Sequence, residues 1–282
     1  MLDVIIDTLL DAIKLVPFLF ASFLLLEFFE HKMTERTHKV IKKAGKLGPL
    51  VGSVLGAVPQ CGFAAMASSM YTTRVITLGT LIAVFLSTSD EMLIIMLAKQ
   101  DLAVFTQGMI IIAIKIAIGI FAGFIVDFIL RSRNQEERIH DFCEIDNCHC
   151  EHGIFRSAIH HTVKITVFIL VITFVLNTAI HFLGEENLAK VLLKDSFFAP
   201  FISALVGFIP NCASSVIITE MFLSGTISFG SCVAGLLTGS GMGLIILFKV
   251  NKPMKQNFII AAIVFVIAVF CGCLIDLFGI VI

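Results

Sequence analysis

Two adjacent carboxylates stand in the middle of an apolar run: Asp90 and Glu91, in "FLSTSDEML" at residues 85–93, follow three hydroxyls. An acid at membrane depth is costly and by default marks an ion or proton path. A second kind of cluster, "AVPQCGFAA" at 57–65, sets Gln60 beside Cys61 directly after Pro59. "GFIPNC" at 207–212 repeats it with Asn211 and Cys212 after Pro210, and Glu220 adds a third carboxylate in "VIITEMF". Carboxylates, amide oxygens, backbone carbonyls and the hydroxyls of Ser89 and Ser240 form an oxygen-rich ligand set suited to Mn²⁺ or a similar divalent ion. Cys61, Cys212, Met70 and Met221 add softness, which favours a transition metal over Mg²⁺ or Ca²⁺. Each residue also has a plainer reading. Asp90 could pair structurally with a buried base or amide, Glu220 could lie at the membrane surface near a helix end, and Cys61 and Cys212 could be small packing residues. Cys232, Cys271 and Cys273 read as core.

A polar stretch, "IHDFCEIDNCHCEHGIF" at 139–155, gathers His140, Cys143, Cys148, His149, Cys150 and His152 within thirteen positions. Thiolates and imidazoles this close are plausible ligands for Zn²⁺ or another soft ion, although the spacing is not that of a standard finger and crowding limits how many can share one ion. A solvated linker is the alternative. Further along, His160, His161, Lys164, Asn177 and His181 recur opposite Asp11, Lys14, Glu27 and His31. Structural ion pairs are the expected role there, and His161 is the candidate for proton coupling because only imidazole titrates near neutral pH without a large perturbation.

The chain that must position these groups has 282 residues, 58% hydrophobic and 15% charged, with a mean hydropathy of +1.01. That composition belongs to an integral membrane protein. Runs long enough for a hydrocarbon layer of about 30 Å cover Leu2 to Phe29, Val75 to Ala98, Phe105 to Leu130, Val163 to Phe182, Ile227 to Phe248 and Phe258 to Ile280. Six full spans are expected. The first run carries Asp3, Asp7 and Asp11 where a secretion signal carries bases, so it is expected to stay in the mature protein. A net charge of −1 with bases clustered in loops argues against a nucleic-acid partner. Lipid is the expected surrounding.

The sequence matches itself without a gap at an offset of 151 residues, Pro49 to Leu97 on Pro200 to Phe248. Pro49 falls on Pro200, Gly56 on Gly207, Pro59 on Pro210, Cys61 on Cys212, Gly79 on Gly230 and Ser89 on Ser240. Apolar bias can align helices by chance, but it does not align helix breakers. Residues 1–130 therefore read as one transmembrane repeat, 131–156 as a cytoplasmic Cys/His-rich connection, and 157–282 as a second repeat. Each repeat has three full spans and a Pro-broken segment, near 48–71 and 199–223, whose freed backbone groups must face protein or a wet cavity. "LLTGSGMGL" at 236–244 matches the acidic run with glycines, so it could unwind and offer carbonyls.

Reading the broken segments as re-entrant hairpins places Lys32 to Lys46, Arg131/Arg133 and Lys249 to Lys255 on one side, which the positive-inside rule makes cytoplasmic, with both termini outside. Three crossings per repeat then invert the second copy, as in secondary transporters built around a midplane site. The expected fold is an all-α polytopic membrane protein of two inverted repeats, with ten helical segments in total.

The paired "PQCG" and "PNCAS" segments, the "STSDE" span and the central "CHCEHG" loop followed by "SAIHHT" resemble the bacterial ten-helix heavy-metal exporter family, whose members are described as arsenic efflux permeases or manganese transporters. The resemblance covers nearly the whole chain. It implies a metal exporter of the inner membrane. A multi-pass protein that is not an enzyme is expected, with the transported metal ion as partner and a homo-oligomer as one open assembly. Manganese is the first expectation for the cargo, because the carboxylates argue for a cation; arsenite or an organoarsenical is the second. An intramembrane thiol redox enzyme and a metal sensor are the readings from other classes. No C-x-x-C within a span, G-x-S-x-G or H-E-x-x-H supports the enzyme.

Overall fold

The computed structural model describes residues 47–58, 61–89, 92–99, 101–131, 198–209, 212–240 and 242–280, with single helical positions between 16 and 24 and between 159 and 178. All regular structure among them is helical. In the first repeat the elements are α1 (Gly48–Gly56), α2 (Cys61–Thr72), α3 (Leu78–Ser87), α4 (Met92–Ala98) and α5 (Leu102–Arg131). In the second they are α6 (Ala199–Gly207), α7 (Cys212–Leu223), α8 (Phe229–Thr238), α9 (Met242–Val250) and α10 (Met254–Leu277). The two lists match element for element. Among the described residues three stretches, Leu102–Ile129, Phe229–Val250 and Met254–Leu277, are long and apolar enough to cross a membrane.

Local chemistry explains the element ends. Pro49 and Pro200 sit in the first turns of α1 and α6, where a missing N–H costs nothing. The helices stop at Gly56 and Gly207 and resume at Cys61 and Cys212, on either side of the "PQ" and "PN" pairs. Thr77 and Ser228 cap α3 and α8, each side chain accepting from the N–H three residues on, Thr80 and Ser231, at 3.1 Å. Such caps satisfy one of the N–H groups that a helix start leaves without a partner.

Packing orders the elements in depth. Gly48 lies against Thr80 and Gly56 against Ser87, so α1 runs parallel to α3; Gly79 lies against Gly123 and Asp127, so α5 runs antiparallel to both. The second repeat follows the same scheme, with Gly207 against Thr238 and Gly230 against Gly272 and Asp276. Without a hydrophobic drive between helices in lipid, such small-residue contacts are what lets helices approach closely. α3 and α8 form the centre: residues 79–87 and 229–238 are buried throughout. Around them, α1, α5, α6 and α10 expose Leu50, Val54, Phe121, Phe128, Phe201, Phe258 and Phe270, an apolar belt suited to lipid tails.

Two expectations change here. The run over Val75–Ala98 is not one helix: α3 ends at Ser87, Thr88 and Ser89 leave the helical path, and α4 begins at Met92. Likewise, the run over Ile227–Phe248, expected as one span, is divided at Gly239 and Ser240 between α8 and α9, inside the glycine run that the sequence marks as able to unwind. Apolar composition reports that a segment spans and is silent on whether its hydrogen-bond ladder is continuous. The runs Leu2–Phe29 and Val163–Phe182 lie outside the described residues apart from single helical positions, and the 131–156 connection lies outside them beyond Arg131.

Candidate functional site at the helix breaks

The ends of α3 and α8 meet at the middle of α5. Thr88 leaves α3 with φ −53° and ψ 123°, which swings its carbonyl out of the helical ladder. In α8, Ser240 N turns back to Thr238 O at 2.7 Å instead of continuing the ladder to Leu236. Both carbonyls are thus among the acceptors that a helix end leaves over. A single ammonium takes them: Lys115 Nζ donates to Thr88 O and to Leu236 O at 2.7 Å. Lys115 itself is 1% exposed, fourteen residues into an apolar helix. Two helix C-termini, each the negative end of a backbone dipole, supply the field that an ammonium needs there.

Around this centre the hydroxyls are buried. Thr88 Oγ1 donates to Val84 O at 2.7 Å, and Thr238 Oγ1 donates to Ala204 O at 2.8 Å. Ser68 Oγ on α2 donates across the repeats to Gly243 O on α9 at 2.6 Å. Ser89 and Ser240, by contrast, are buried with no hydrogen-bond partner, as are Ser203 in α6 and the Thr166 and Thr178 hydroxyls elsewhere. Ser89 and Ser240 occupy equivalent positions in the two repeats. A buried hydroxyl without a partner forfeits its hydration with no return, and here two of them stand at matching helix breaks.

At one end of the molecule the repeats are tied by polar groups. Gln256 Nε2 donates to Tyr71 Oη, and Asn251 Nδ2 donates to Asn257 Oδ1 at 2.6 Å in the turn between α9 and α10. Arg74 stacks its guanidinium over the Tyr71 ring, 5.6 Å from the centroid.

Of the residues singled out in the sequence, the structure brings Ser89 and Ser240 to the breaks, and Cys61 and Cys212 open α2 and α7. Glu220 lies near the end of α7, exposed, close to the Ser224–Thr226 turn, while its counterpart Ser69 is buried with its hydroxyl on Ala65 O at 3.3 Å. Asp90, Glu91, Gln60 and Asn211 lie outside the described residues, as do Cys143, Cys148, His149, Cys150, His152, His161 and the other His, Lys and acidic candidates of the opening spans. Among the described residues no three His, Cys, Asp or Glu side chains gather as a metal cluster. Cys232 is buried in the core, and Cys271 and Cys273 are half-buried.

Three functional or architectural residues escape a reading centred on acids in the middle of spans. Lys115 carries the same warning as Asp90, a lone charge in "IIIAIKIAIGI". Asp127 and Asp276 end matching "GFIVD" and "GCLID" motifs, offset by 149 residues, two fewer than the offset of the ungapped match. Asp127 accepts from Gly79 N at 2.8 Å and Thr77 Oγ1 at 2.7 Å; Asp276 accepts from Gly230 N at 2.9 Å and Ser228 Oγ at 2.7 Å.

The model of the family described as "Putative, 10TM heavy-metal exporter" matches residues 1–182 and 150–280 of the chain. No curated protein matches it, and no solved structure does.

Proposed function

The chain belongs to the family of 10TM heavy-metal exporters, and from that membership we propose that it is a secondary transporter exporting a divalent transition-metal ion, manganese foremost, by alternating access around the helix breaks. The observation that carries this reading is the meeting of two broken crossings, one per repeat, at a buried centre where Ser89 and Ser240 lack partners and backbone carbonyls leave the helical ladder. Asp90 and Glu91 follow Ser89 directly in the chain. They supply the charge, and Gln60, Asn211, Cys61 and Cys212, beside the other pair of breaks, complete the ligand set. Glu220, exposed near the end of α7, is the third carboxylate of this reading.

Chain reach supports the inverted, re-entrant architecture. α1 ends level with the end of α3, and α3 starts level with the start of α1. If α2 continued outward by its 12 residues, roughly 18 Å, its end would lie about 33 Å from the start of α3. The five residues 73–77 reach no more than about 20 Å. Turning back satisfies the chain, so α1 and α2 make a hairpin that enters and leaves on one side. The Tyr71–Gln256 bond brings the start of α10 to the same end as the finish of α5, as an inverted second repeat requires. Arg131, Lys249, Lys252 and Lys255 collect at that end, as cytoplasmic loops should.

The test is transport by the purified protein in liposomes loaded with Mn²⁺. Asp90→Asn with Glu91→Gln should abolish flux; undiminished flux would remove the carboxylates from the mechanism. Arsenite is the competing cargo, favoured by the matched thiols that open α2 and α7. Cys61→Ser with Cys212→Ser should then eliminate arsenite movement while the carboxamide pair leaves it intact.

A further inference from the structure

We infer that Lys115 is a resident cation of the central site: in the metal-free protein its ammonium occupies the carbonyls at the ends of both broken crossings and competes with the transported metal for them. The inference rests on the proposed function, since it needs the breaks to be where the metal binds. It begins from an asymmetry. At the 149-residue offset that superposes Gly123 and Asp127 on Gly272 and Asp276, Lys115 falls on Val264, which is fully buried. The fold therefore holds its second repeat together at this place with an apolar side chain. A packing role alone does not call for a charge in the first.

An ammonium in the interior is expensive to bury, and it is retained where it has a charge or dipole partner to meet. Lys115 meets one from each repeat. Thr88 O and Leu236 O are released by local breaks in α3 and α8, so these acceptors owe nothing to a continuous helix and are available to any cation. The flexible four-carbon stem of lysine allows the head group to withdraw along its own helix, which a fixed guanidinium fork does not. The unpartnered Ser89 and Ser240 hydroxyls, one residue beyond Thr88 and four beyond Leu236, are an independent sign that the same breaks are incomplete as they stand. A divalent ion that takes six or so oxygen ligands would use the hydroxyls together with the two carbonyls. Lysine can hold the carbonyls and leaves both hydroxyls unsatisfied. Binding is then an exchange: metal arrives, ammonium departs, and the cross-repeat tie through Lys115 opens.

The experiment measures equilibrium binding of Mn²⁺ and of Cd²⁺, added singly, to the purified full-length protein in detergent, for the native chain, Lys115→Met, Lys115→Gln and Lys115→Arg. Removing a competitor raises apparent affinity by the reciprocal of the fraction of protein it had left free, so the Met and Gln forms should bind at least about tenfold more tightly while the Arg form binds no better than native. Metal binding seen only in the neutral variants would support the exchange as well. Equal or weaker binding by the neutral variants, with the native protein binding, would overturn the inference and leave the export reading standing. No binding by any of the four would sink both. Gln keeps a donor for the carbonyls without a charge, and thus guards against a Met variant that fails to fold. Should both neutral forms be lost as monodisperse protein, Lys115 is a structural staple and the exchange is wrong.

Discussion

At the scale of single residues, the same device appears twice at the starts of α3 and α8. A carboxylate from the long neighbouring helix accepts one backbone N–H and one capping hydroxyl, while the glycine four residues before it lets the helices touch. A Cβ at Gly123 would stand 2.6 Å from Gly79 O, and one at Gly272 would stand 2.6 Å from Gly230 O. Neither backbone can yield as a side chain would. Gly123→Ala and Gly272→Ala should each lower thermal stability in detergent, by about 1–3 kcal/mol, the usual cost of overpacking. Asp127→Ala and Asp276→Ala should each cost about 2 kcal/mol, the scale of hydrogen bonds to a charged acceptor, and should do so nearly equally, because their partners match atom for atom. Asp127→Asn keeps one acceptor and should cost less. An unequal pair of losses in thermal unfolding would show that the two capping knots carry different loads despite their common geometry.

At the scale of elements, the sequence betrayed the broken segments because their punctuation is chemical. Proline at the first turn, glycine at the last and an amide–thiol pair between them set the ends of α1, α2, α6 and α7 to within a residue or so of the expected segments. The breaks of 75–98 and 227–248 were harder to see. "STS" is compatible with an apolar helix, and only the glycines of "TGSG" hinted at unwinding. What decides the matter is tertiary: Lys115, 27 residues beyond Thr88, repays the carbonyl that the break releases. Contacts of that range leave no local trace. Another asymmetry belongs to this scale. The Tyr71 hydroxyl ties α2 to α10 through Gln256, whereas the equivalent pair in the other repeat is Phe222 and Gln107, with no hydroxyl to donate or accept. A tyrosine hydroxyl takes part in the tie at one end, and a phenylalanine stands in its place at the other. Tyr71→Phe should release about 1 kcal/mol of that tie, enough for about a fivefold rise in the opening equilibrium. A membrane-impermeant maleimide should then modify a cysteine placed at Ala67 correspondingly faster from the Tyr71 side. An unchanged rate would make the hydrogen bond incidental to gating.

At the scale of the whole molecule, the proposed inversion gives one protein two faces that differ in what they display. The Tyr71 end gathers the start of α3, the finish of α5 and the turn into α10, together with Lys249, Lys252 and Lys255. The other end gathers Asp101, the Ser224–Thr226 turn, the start of α8 and the finish of α10. Inverted repeats matter because a rocking motion that opens one face closes the other, so a single buried centre can be exposed to each side in turn. The arrangement makes a direct demand on sidedness. Lys99 and Ser224, both exposed, come from different repeats and should lie on the same outer face, while Lys252, also exposed, should lie on the cytoplasmic one. In a background without reactive native cysteines, Lys99→Cys and Ser224→Cys should react with an impermeant thiol reagent applied to intact cells, and Lys252→Cys only after the membrane is opened. Parallel repeats would put Lys99 and Lys252 on one face, because each then follows the second half of its broken crossing and precedes the long closing helix. Labelling of both from the same side would therefore dismantle the inverted design, and with it the shared centre on which export by alternating access depends.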